Sequence, residues 1–124
     1  MNRLSIIVPV YNGEKTIKRA IDSLLKQTEE VDILVINDGS TDNTENVVKE
    51  YSQKNIHYFY KENGGISDAR NYGISKVKTE FFGFLDSDDY VKEDMAEKVL
   101  SAIGDNDICM SNFTWVYEGG SRKE

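Results

Sequence analysis

The chain has 124 residues and a formal net charge of −7, from 15 lysines and arginines against 22 aspartates and glutamates. This acidic balance argues against duplex nucleic acid and anionic membrane surfaces as partners, because both require clustered Lys and Arg. The single cysteine, Cys109, excludes an internal disulfide and a cysteine-based zinc site, and it fits a reducing compartment. No apolar run reaches the roughly 20 residues of a transmembrane helix. We therefore expect one globular domain over residues 1–124.

Short apolar runs alternate with segments of helical periodicity along the chain. Residues 4–11 are almost continuously apolar, which predicts a strand buried on both faces, and an amphipathic helix is predicted to follow at 14–28. The same alternation predicts further strands at 32–38, 56–60, 80–86 and 107–117, and helices at 44–54, 67–77 and 92–103. This order predicts an α/β domain with a mostly parallel sheet and helices on both faces.

Acidic residues gather where the predicted strands end, at the edge where open α/β sheets bind ligands. Asp86 and Asp88 follow the fourth strand. Alternate residues of an extended segment point the same way, so the two carboxylates could converge on one divalent cation, Mg²⁺ or Mn²⁺. The alternative is that Asp88 and Asp89 form a turn ahead of the next helix.

Three other strand ends carry residues suited to a nucleotide. Asp38 precedes a glycine turn, where an acid either accepts hydrogen bonds from a nucleotide or forms an Asx turn. Gly64 and Gly65 would let a ligand approach the backbone, and Arg70 could meet a diphosphate or stay solvated. Tyr11 could stack on a base or close the strand edge. The dinucleotide fingerprint and the P-loop are both absent from the sequence, so bound phosphates would need a metal.

Four stretches, in this order along the chain, resemble the inverting family 2 glycosyltransferases. They are SIIVPVYNGEKTIKRAIDSLLKQT at 5–28, DILVINDGSTDNT at 32–44, NGGISDARNYGI at 63–74 and FFGFLDSDDYV at 81–91. The resemblance implies the GT-A fold, a Rossmann-like three-layer architecture. It also implies transfer, with inversion, of a sugar from a nucleotide-sugar donor, usually a UDP-sugar, with a divalent metal, Mn²⁺ or Mg²⁺. The acceptor would be a glycan, a lipid-linked oligosaccharide or a protein, commonly in cell-surface polysaccharide biosynthesis.

The resemblance also implies roles for individual residues. Asp38 would hydrogen-bond the uracil, Asp88 would bind the metal, and Asp86 would lie at the ribose side of the donor. With Gly65 added for its backbone freedom, the residues expected at the nucleotide-sugar are Pro9, Tyr11, Asn12, Asp38, Gly65, Arg70, Asp86 and Ser87, and those expected at the metal are Asp88 and Asp86.

The family's general base lies well downstream of the Asp-x-Asp, in the half that also builds the acceptor site. We therefore expect it beyond Glu124 and expect the chain to be a truncated, donor-binding part. The pair Gly119-Gly120, which resembles a hairpin turn without its return strand, favours the same expectation. Apolar surface exposed by truncation would favour a homodimer, although the sequence leaves the oligomeric state open. The expected location is the cytoplasm, at the inner face of the plasma membrane in the full-length protein.

Two alternatives stay open at this point. The first is a nucleotide-sugar-binding module without turnover. The second is a phosphatase of the haloacid dehalogenase type with Asp86 as nucleophile, although Tyr90 stands where that motif expects Thr or Val.

Overall fold

The computed structural model describes residues 2–103, so the predicted fifth strand at 107–117 lies outside the described residues. Strands and helices alternate through this part of the chain, as the sequence predicts. Their bounds are β1 (Leu4–Val10), α1 (Ile17–Leu25), β2 (Asp32–Asp38), α2 (Thr44–Lys49), β3 (Ile56–Lys61), α3 (Ile66–Ser75), β4 (Phe81–Phe84) and α4 (Met95–Ile103). None of the helices between residues 2 and 103 has the length and apolar character needed to cross a membrane.

The four strands form one sheet in the order β3-β2-β1-β4, and all neighbouring strands are parallel. Every residue of β1 from Leu4 to Val10 is buried, as expected of a central strand covered on both faces. The chain moves outward from β1 to β3 and then crosses back to place β4 on the other side of β1. This reversal of strand order opens a crevice at the carboxyl ends of the strands beside β1.

Helices cover both faces of the sheet, which confirms the predicted three-layer α/β architecture. Alternate residues of β1, including Ile6 and Val8, pack with residues of α1, α2 and α4. Ile7 points to the opposite face and packs with Ala69 of α3. Helix α3 lies so close to the sheet that a Cβ on Gly73 would come within 2.5 Å of Ile7 Cγ2. A glycine is therefore required inside this helix.

Helix α1 is shorter than the predicted helix at 14–28. It begins only at Ile17, because Thr16 N and Ile17 N both donate to Gly13 O in a preceding turn. It ends at Leu25, because the residues that follow bind the segment ahead of α4: Thr28 N donates to Glu93 O over 2.9 Å. Tertiary hydrogen bonds thus replace helical ones at the carboxyl end.

Other elements also differ from their predicted bounds, among them α2, β4 and α4. Helix α2 stops at Lys49 instead of residue 54, because Asn55 O accepts a hydrogen bond from Ile33 N of β2 and the chain must leave the helix to make it. Strand β4 covers Phe81–Phe84 instead of 80–86, so the acidic residues after it are outside the sheet ladder. Helix α4 begins at Met95 instead of residue 92.

Candidate functional site

A cleft of about 590 Å³ lies at the carboxyl ends of the strands, beside β1. It is lined by the loop after β1, the end of β2, the loop after β3, the start of α3 and the loop after β4. All nine residues that the sequence assigned to the donor and the metal line this one cleft: Pro9, Tyr11, Asn12, Asp38, Gly65, Arg70, Asp86, Ser87 and Asp88. Residues far apart in the sequence are therefore gathered as predicted.

Three carboxylates meet in the loop after β4. Oxygens of Asp86, Asp88 and Asp89 all lie within 4.8 Å of one another, with Asp88 exposed and the other two half-buried. Asp89 N donates to Asp86 O over 3.0 Å, so the loop is a turn and the turn itself gathers the carboxylates. The two sequence interpretations are thus compatible, and Asp89 joins the pair predicted for the metal. Closely spaced carboxylate oxygens fit a hard divalent cation.

Arg70, one turn into α3, faces this cluster. Its Nη2 lies 3.5 Å from Asp86 Oδ1, and the centre of its guanidinium lies 5.4 Å from the centroid of the Phe84 ring. Its Nε is buried and has no hydrogen-bond partner within residues 2–103. The planar guanidinium suits bidentate contacts with phosphate oxygens. A half-exposed Arg at the edge of an acidic cleft could therefore meet an anionic ligand.

The carboxylate of Asp38 is buried and bound on both oxygens. Oδ1 accepts hydrogen bonds from Lys61 Nζ (2.8 Å) and Gly64 N (3.0 Å). Oδ2 accepts from Gly65 N (3.0 Å) and Asn63 Nδ2 (3.2 Å). Burial alone would raise the pKa of Asp38, but the hydrogen bonds from Lys61, Gly64 and Gly65 outweigh it and hold the pKa below its ordinary value. Asp38 thus anchors the loop after β3 to the end of β2.

Neither interpretation of Asp38 drawn from the sequence anticipates this role. The Asx-type contact is made by its neighbour, since Asn37 Oδ1 accepts a hydrogen bond from Ser40 N over 3.0 Å. Lys61 was not among the residues expected at the cleft, although the sequence holds a signal for it. β2 and β3 pair in parallel with Ile33 opposite Ile56, which places Lys61 opposite Asp38. Aligning the two predicted strands would have brought the acid and the lysine together.

Asn12 fixes the loop after β1. Its backbone has a positive φ of 53°, a conformation that Asn tolerates better than most residues. Its Oδ1 accepts hydrogen bonds from Thr41 N (2.7 Å) and Asp42 N (3.2 Å), and its own N–H donates to Ser40 Oγ (2.8 Å). This ties the loops after β1 and β2 together. The neighbouring Tyr11 is 51% exposed at the rim of the cleft, where it could stack on a flat ring.

The parallel order β3-β2-β1-β4 and the acidic cleft at its point of reversal define a three-layer α/β domain with a binding crevice at the carboxyl ends of its strands. The family model described as glycosyl transferase family 2 matches residues 5–124, and the chain belongs to this family.

Curated relatives in bacteria share this part of their sequences. An uncharacterized glycosyltransferase of Rickettsia felis is 45% identical over 95% of the chain, which spans 21% of that protein. The minor teichoic acid biosynthesis protein GgaB of Bacillus subtilis is 44% identical over 78% of the chain, which spans 11% of it. Glycosyltransferase GlyA of Streptococcus pneumoniae is 37% identical over 90% of the chain, which spans 17% of it. The chain therefore spans between 11% and 21% of the length of each of these three relatives.

Solved structures agree with the fold. Residues 1–349 of S. aureus TarS in complex with UDP-GlcNAc match 83% of the chain with a TM-score of 0.77 at 35% identity, and the chain covers 31% of that structure. A mannosyltransferase from Pyrobaculum calidifontis, solved with GDP-Man and Mn²⁺, matches 84% of the chain with a TM-score of 0.74. At 21% identity, this second likeness shows the fold alone.

Proposed function

We propose that the chain is the donor-binding part of a longer glycosyltransferase that transfers a sugar from a UDP-sugar, with inversion and with a divalent metal, Mn²⁺ or Mg²⁺. The observation that carries the proposal is the single cleft lined by all nine predicted residues in a member of glycosyl transferase family 2. The 35% identical TarS structure holds UDP-GlcNAc, which supports a uridine donor. The small share of its relatives that the chain spans supports a general base and an acceptor site outside residues 1–124.

The acidic cluster would hold the metal through Asp86, Asp88 and Asp89. When bound there, a divalent ion would act as a Lewis acid on the diphosphate leaving group. Arg70 would add a second positive charge at the diphosphate, because its guanidinium already faces Asp86 across 3.5 Å. Tyr11 would stack on the uracil ring, and Pro9, Asn12 and Ser87 would shape the rest of the donor pocket.

Asp38 would act on the donor chiefly through the loop that it anchors. An ionised carboxylate offers about four lone-pair sites, and four protein donors already use them. A uracil N–H would have to replace one of these donors, and Asn63 Nδ2, the longest contact at 3.2 Å, is the one to yield. The Gly65 backbone would then lie beside the nucleotide, since it lines the same cleft.

Calorimetric titration of UDP into the chain, with Mn²⁺ or with EDTA, tests this proposal. We expect binding with Mn²⁺ that EDTA abolishes and that Asp88→Asn reduces by at least about tenfold, because a metal-binding carboxylate is lost. Asp94→Asn is the matched control: it removes the same charge from an exposed pair with Lys98. UDP binding that ignores both EDTA and Asp88→Asn would contradict the metal assignment, and no binding would contradict the donor site.

The two alternatives to an active transferase make different predictions. A binding module without turnover would hold UDP-sugar yet transfer nothing when the missing downstream region is restored. A phosphatase would form a covalent phosphate on Asp86, and the family match favours glycosyl transfer over this chemistry.

The similarity to GgaB, named for minor teichoic acid biosynthesis, supports a role in cell-surface polysaccharide assembly. We keep a glycan, a lipid-linked oligosaccharide or a protein as acceptor, and a cytoplasmic location, as parts of this proposal.

A further inference from the structure

Three polar side chains on one side of α1 contact the segment that carries the acidic cluster. Arg19 and Ser23 lie within α1 and Gln27 lies just after it, each four residues from the next. Residues spaced by four lie above one another along a helix, so the three form a line. We call them the α1 stripe. They bind residues 88–96, which begin within the acidic cluster and lead into α4.

Two residues of the α1 stripe, Arg19 and Ser23, contact the segment of the acidic cluster directly. Arg19 Nη2 donates a hydrogen bond to the backbone oxygen of Asp88 over 2.9 Å. The same guanidinium lies over the ring of Tyr90, 4.5 Å from its centroid. One turn further along, Ser23 Oγ accepts a hydrogen bond from Val91 N over 3.3 Å. The segment is thus held at two backbone positions, Asp88 and Val91, and at the ring of Tyr90 between them.

Gln27 completes the α1 stripe with both ends of its amide. The side chain is buried, and its Nε2 donates to Lys92 O over 2.7 Å and to Ser23 O over 3.1 Å. Its Oε1 accepts from Ala96 N over 2.8 Å. One amide therefore links the end of α1 to both sides of the start of α4. A buried amide with all these contacts made fixes one geometry.

The acidic cluster is also held by its own turn, in which Asp89 N donates to Asp86 O, and by the ion pair of Asp86 with Arg70, but neither of these contacts is made by Asp88. Strand β4 ends at Phe84, so the sheet ladder does not reach the cluster. The carboxylate of Asp88 accepts no hydrogen bond from any residue in the range 2–103. Its position is therefore set by its backbone, and that backbone is held by Arg19.

We propose that the α1 stripe positions the acidic cluster and so sets the affinity of this site for its divalent cation. The inference rests on the metal site of the proposed function and assigns positioning roles to Arg19, Ser23 and Gln27, which lie outside that site. Groups that orient metal ligands without touching the metal commonly change metal affinity by about 10- to 100-fold when they are lost.

The direction of the change in cation affinity distinguishes a positioning role of Arg19 from a simple effect of its charge. Arg19→Met removes a positive charge near a cation site, and by Coulomb's law that change alone would tighten cation binding. If Arg19 positions Asp88, the variant instead binds the cation more weakly. Lys18→Met is the matched control, since it removes the same charge from the next residue, which pairs with Asp22 on another side of the helix.

The experiment is a titration of Mn²⁺ into the 124-residue chain with UDP present. The concentration of free Mn²⁺ is measured at each step by electron paramagnetic resonance. We expect Arg19→Met to weaken Mn²⁺ binding about tenfold, Arg19→Lys to restore part of it, and Lys18→Met to leave it unchanged or slightly tighter. Gln27→Glu tests the contact between Gln27 and Lys92, because a carboxylate cannot donate a hydrogen bond to Lys92 O. Arg19 is exposed, so its variants test the proposal even if the Gln27 variant fails to fold.

Amide hydrogen exchange without metal gives a second readout. Hydrogen exchange at the amides of Asp89 and Val91 should be faster in Arg19→Met than in Lys18→Met, because the variant loses the hydrogen bond from α1 to Asp88 O. If the unaltered chain binds Mn²⁺ with UDP and Arg19→Met binds equally well or better, the positioning role is wrong and the proposed function stands. If the unaltered chain binds no Mn²⁺ with UDP, the proposed function itself fails, and this inference fails with it.

Discussion

The loop after β3 and the loop after β4 border the same cleft, but they are held in opposite ways. The first, at 62–65, is held by a side chain: Asp38 accepts hydrogen bonds from Lys61, Asn63, Gly64 and Gly65. The second, at 86–89, is held through its backbone by α1, and its carboxylates face one another. The Asp38 carboxylate is enclosed by donors of the fold, whereas the Asp88 carboxylate is exposed at the cleft and accepts no hydrogen bond from residues 2–103.

This difference separates residues that stabilise the protein from residues that bind. A buried carboxylate that accepts four hydrogen bonds stabilises the folded state, and removing it takes away the acceptor of the Gly64 and Gly65 N–H groups. Asp86, Asp88 and Asp89 offer oxygens within 4.8 Å of one another, so their negative charges repel, and this repulsion opposes folding. Under the proposed function, a bound cation would relieve this repulsion.

The largest expected effect on stability is that of Asp38→Asn. An amide keeps one acceptor oxygen but turns an NH₂ group toward the donors of the loop after β3, and it removes the charge that pairs with the nearly buried Lys61. We expect a loss of about 2 kcal/mol in the free energy of unfolding, measured by urea denaturation. Lys61 keeps its contact with Asp68, which limits the loss. If the Asp38→Asn variant is as stable as the unaltered chain, Asp38 does not stabilise the fold through the loop after β3.

A smaller change in the free energy of unfolding is expected when the pH is lowered. The pKa of Asp38 is lowered in the folded state, so its contribution to stability is present above its unfolded pKa of about 3.9 and is lost as the pH falls toward the folded value. The stability difference between the unaltered chain and Asp38→Asn should therefore shrink below about pH 4. Urea denaturation at pH 3 to 7 measures it, and a difference that stays constant throughout would show that the charge of Asp38 plays no part.

The smallest effect is expected for Asp88→Asn without metal. Removing one of three neighbouring negative charges relieves repulsion, so the free energy of unfolding should stay the same or rise by up to about 0.5 kcal/mol. Thermal unfolding with EDTA measures this, with Asp94→Asn as a control for the loss of one surface charge. A marked loss of stability would mean that Asp88 supports the fold, like Asp38.

The sequence was sufficient for the strands and for the composition of the cleft, because both follow from strong local patterns. The continuous apolar residues of Leu4–Val10 leave few alternatives to a buried strand. Parallel strands bring their carboxyl ends to one edge, so Asp38 and Asp86 had to line the same crevice once the α/β order was recognised.

What the sequence left undetermined depends on contacts between distant residues. The end of α1 at Leu25 depends on Gln27 and Thr28 binding residues more than 60 positions away, which no local periodicity records. The role of Asp38 depends on Lys61 and on two backbone N–H groups of glycines. The inclusion of Asp89 depends on how tightly the loop turns after β4.

The central place of β1 has a consequence for how the chain is made. Leu4–Val10 is synthesised before β2, β3 and β4, yet the strand that pairs with its second edge begins only at Phe81, which lies opposite Leu4 in the sheet. At typical elongation rates, those 77 residues take about 4 to 15 s to synthesise. For that time a strand that is apolar except for Ser5 has one edge without a partner, and nascent chains in this state aggregate readily. Among β1 to β4, the strand made before the others thus waits for β4 to cover its second edge, and cover from a chaperone at the tunnel exit would matter most during that interval.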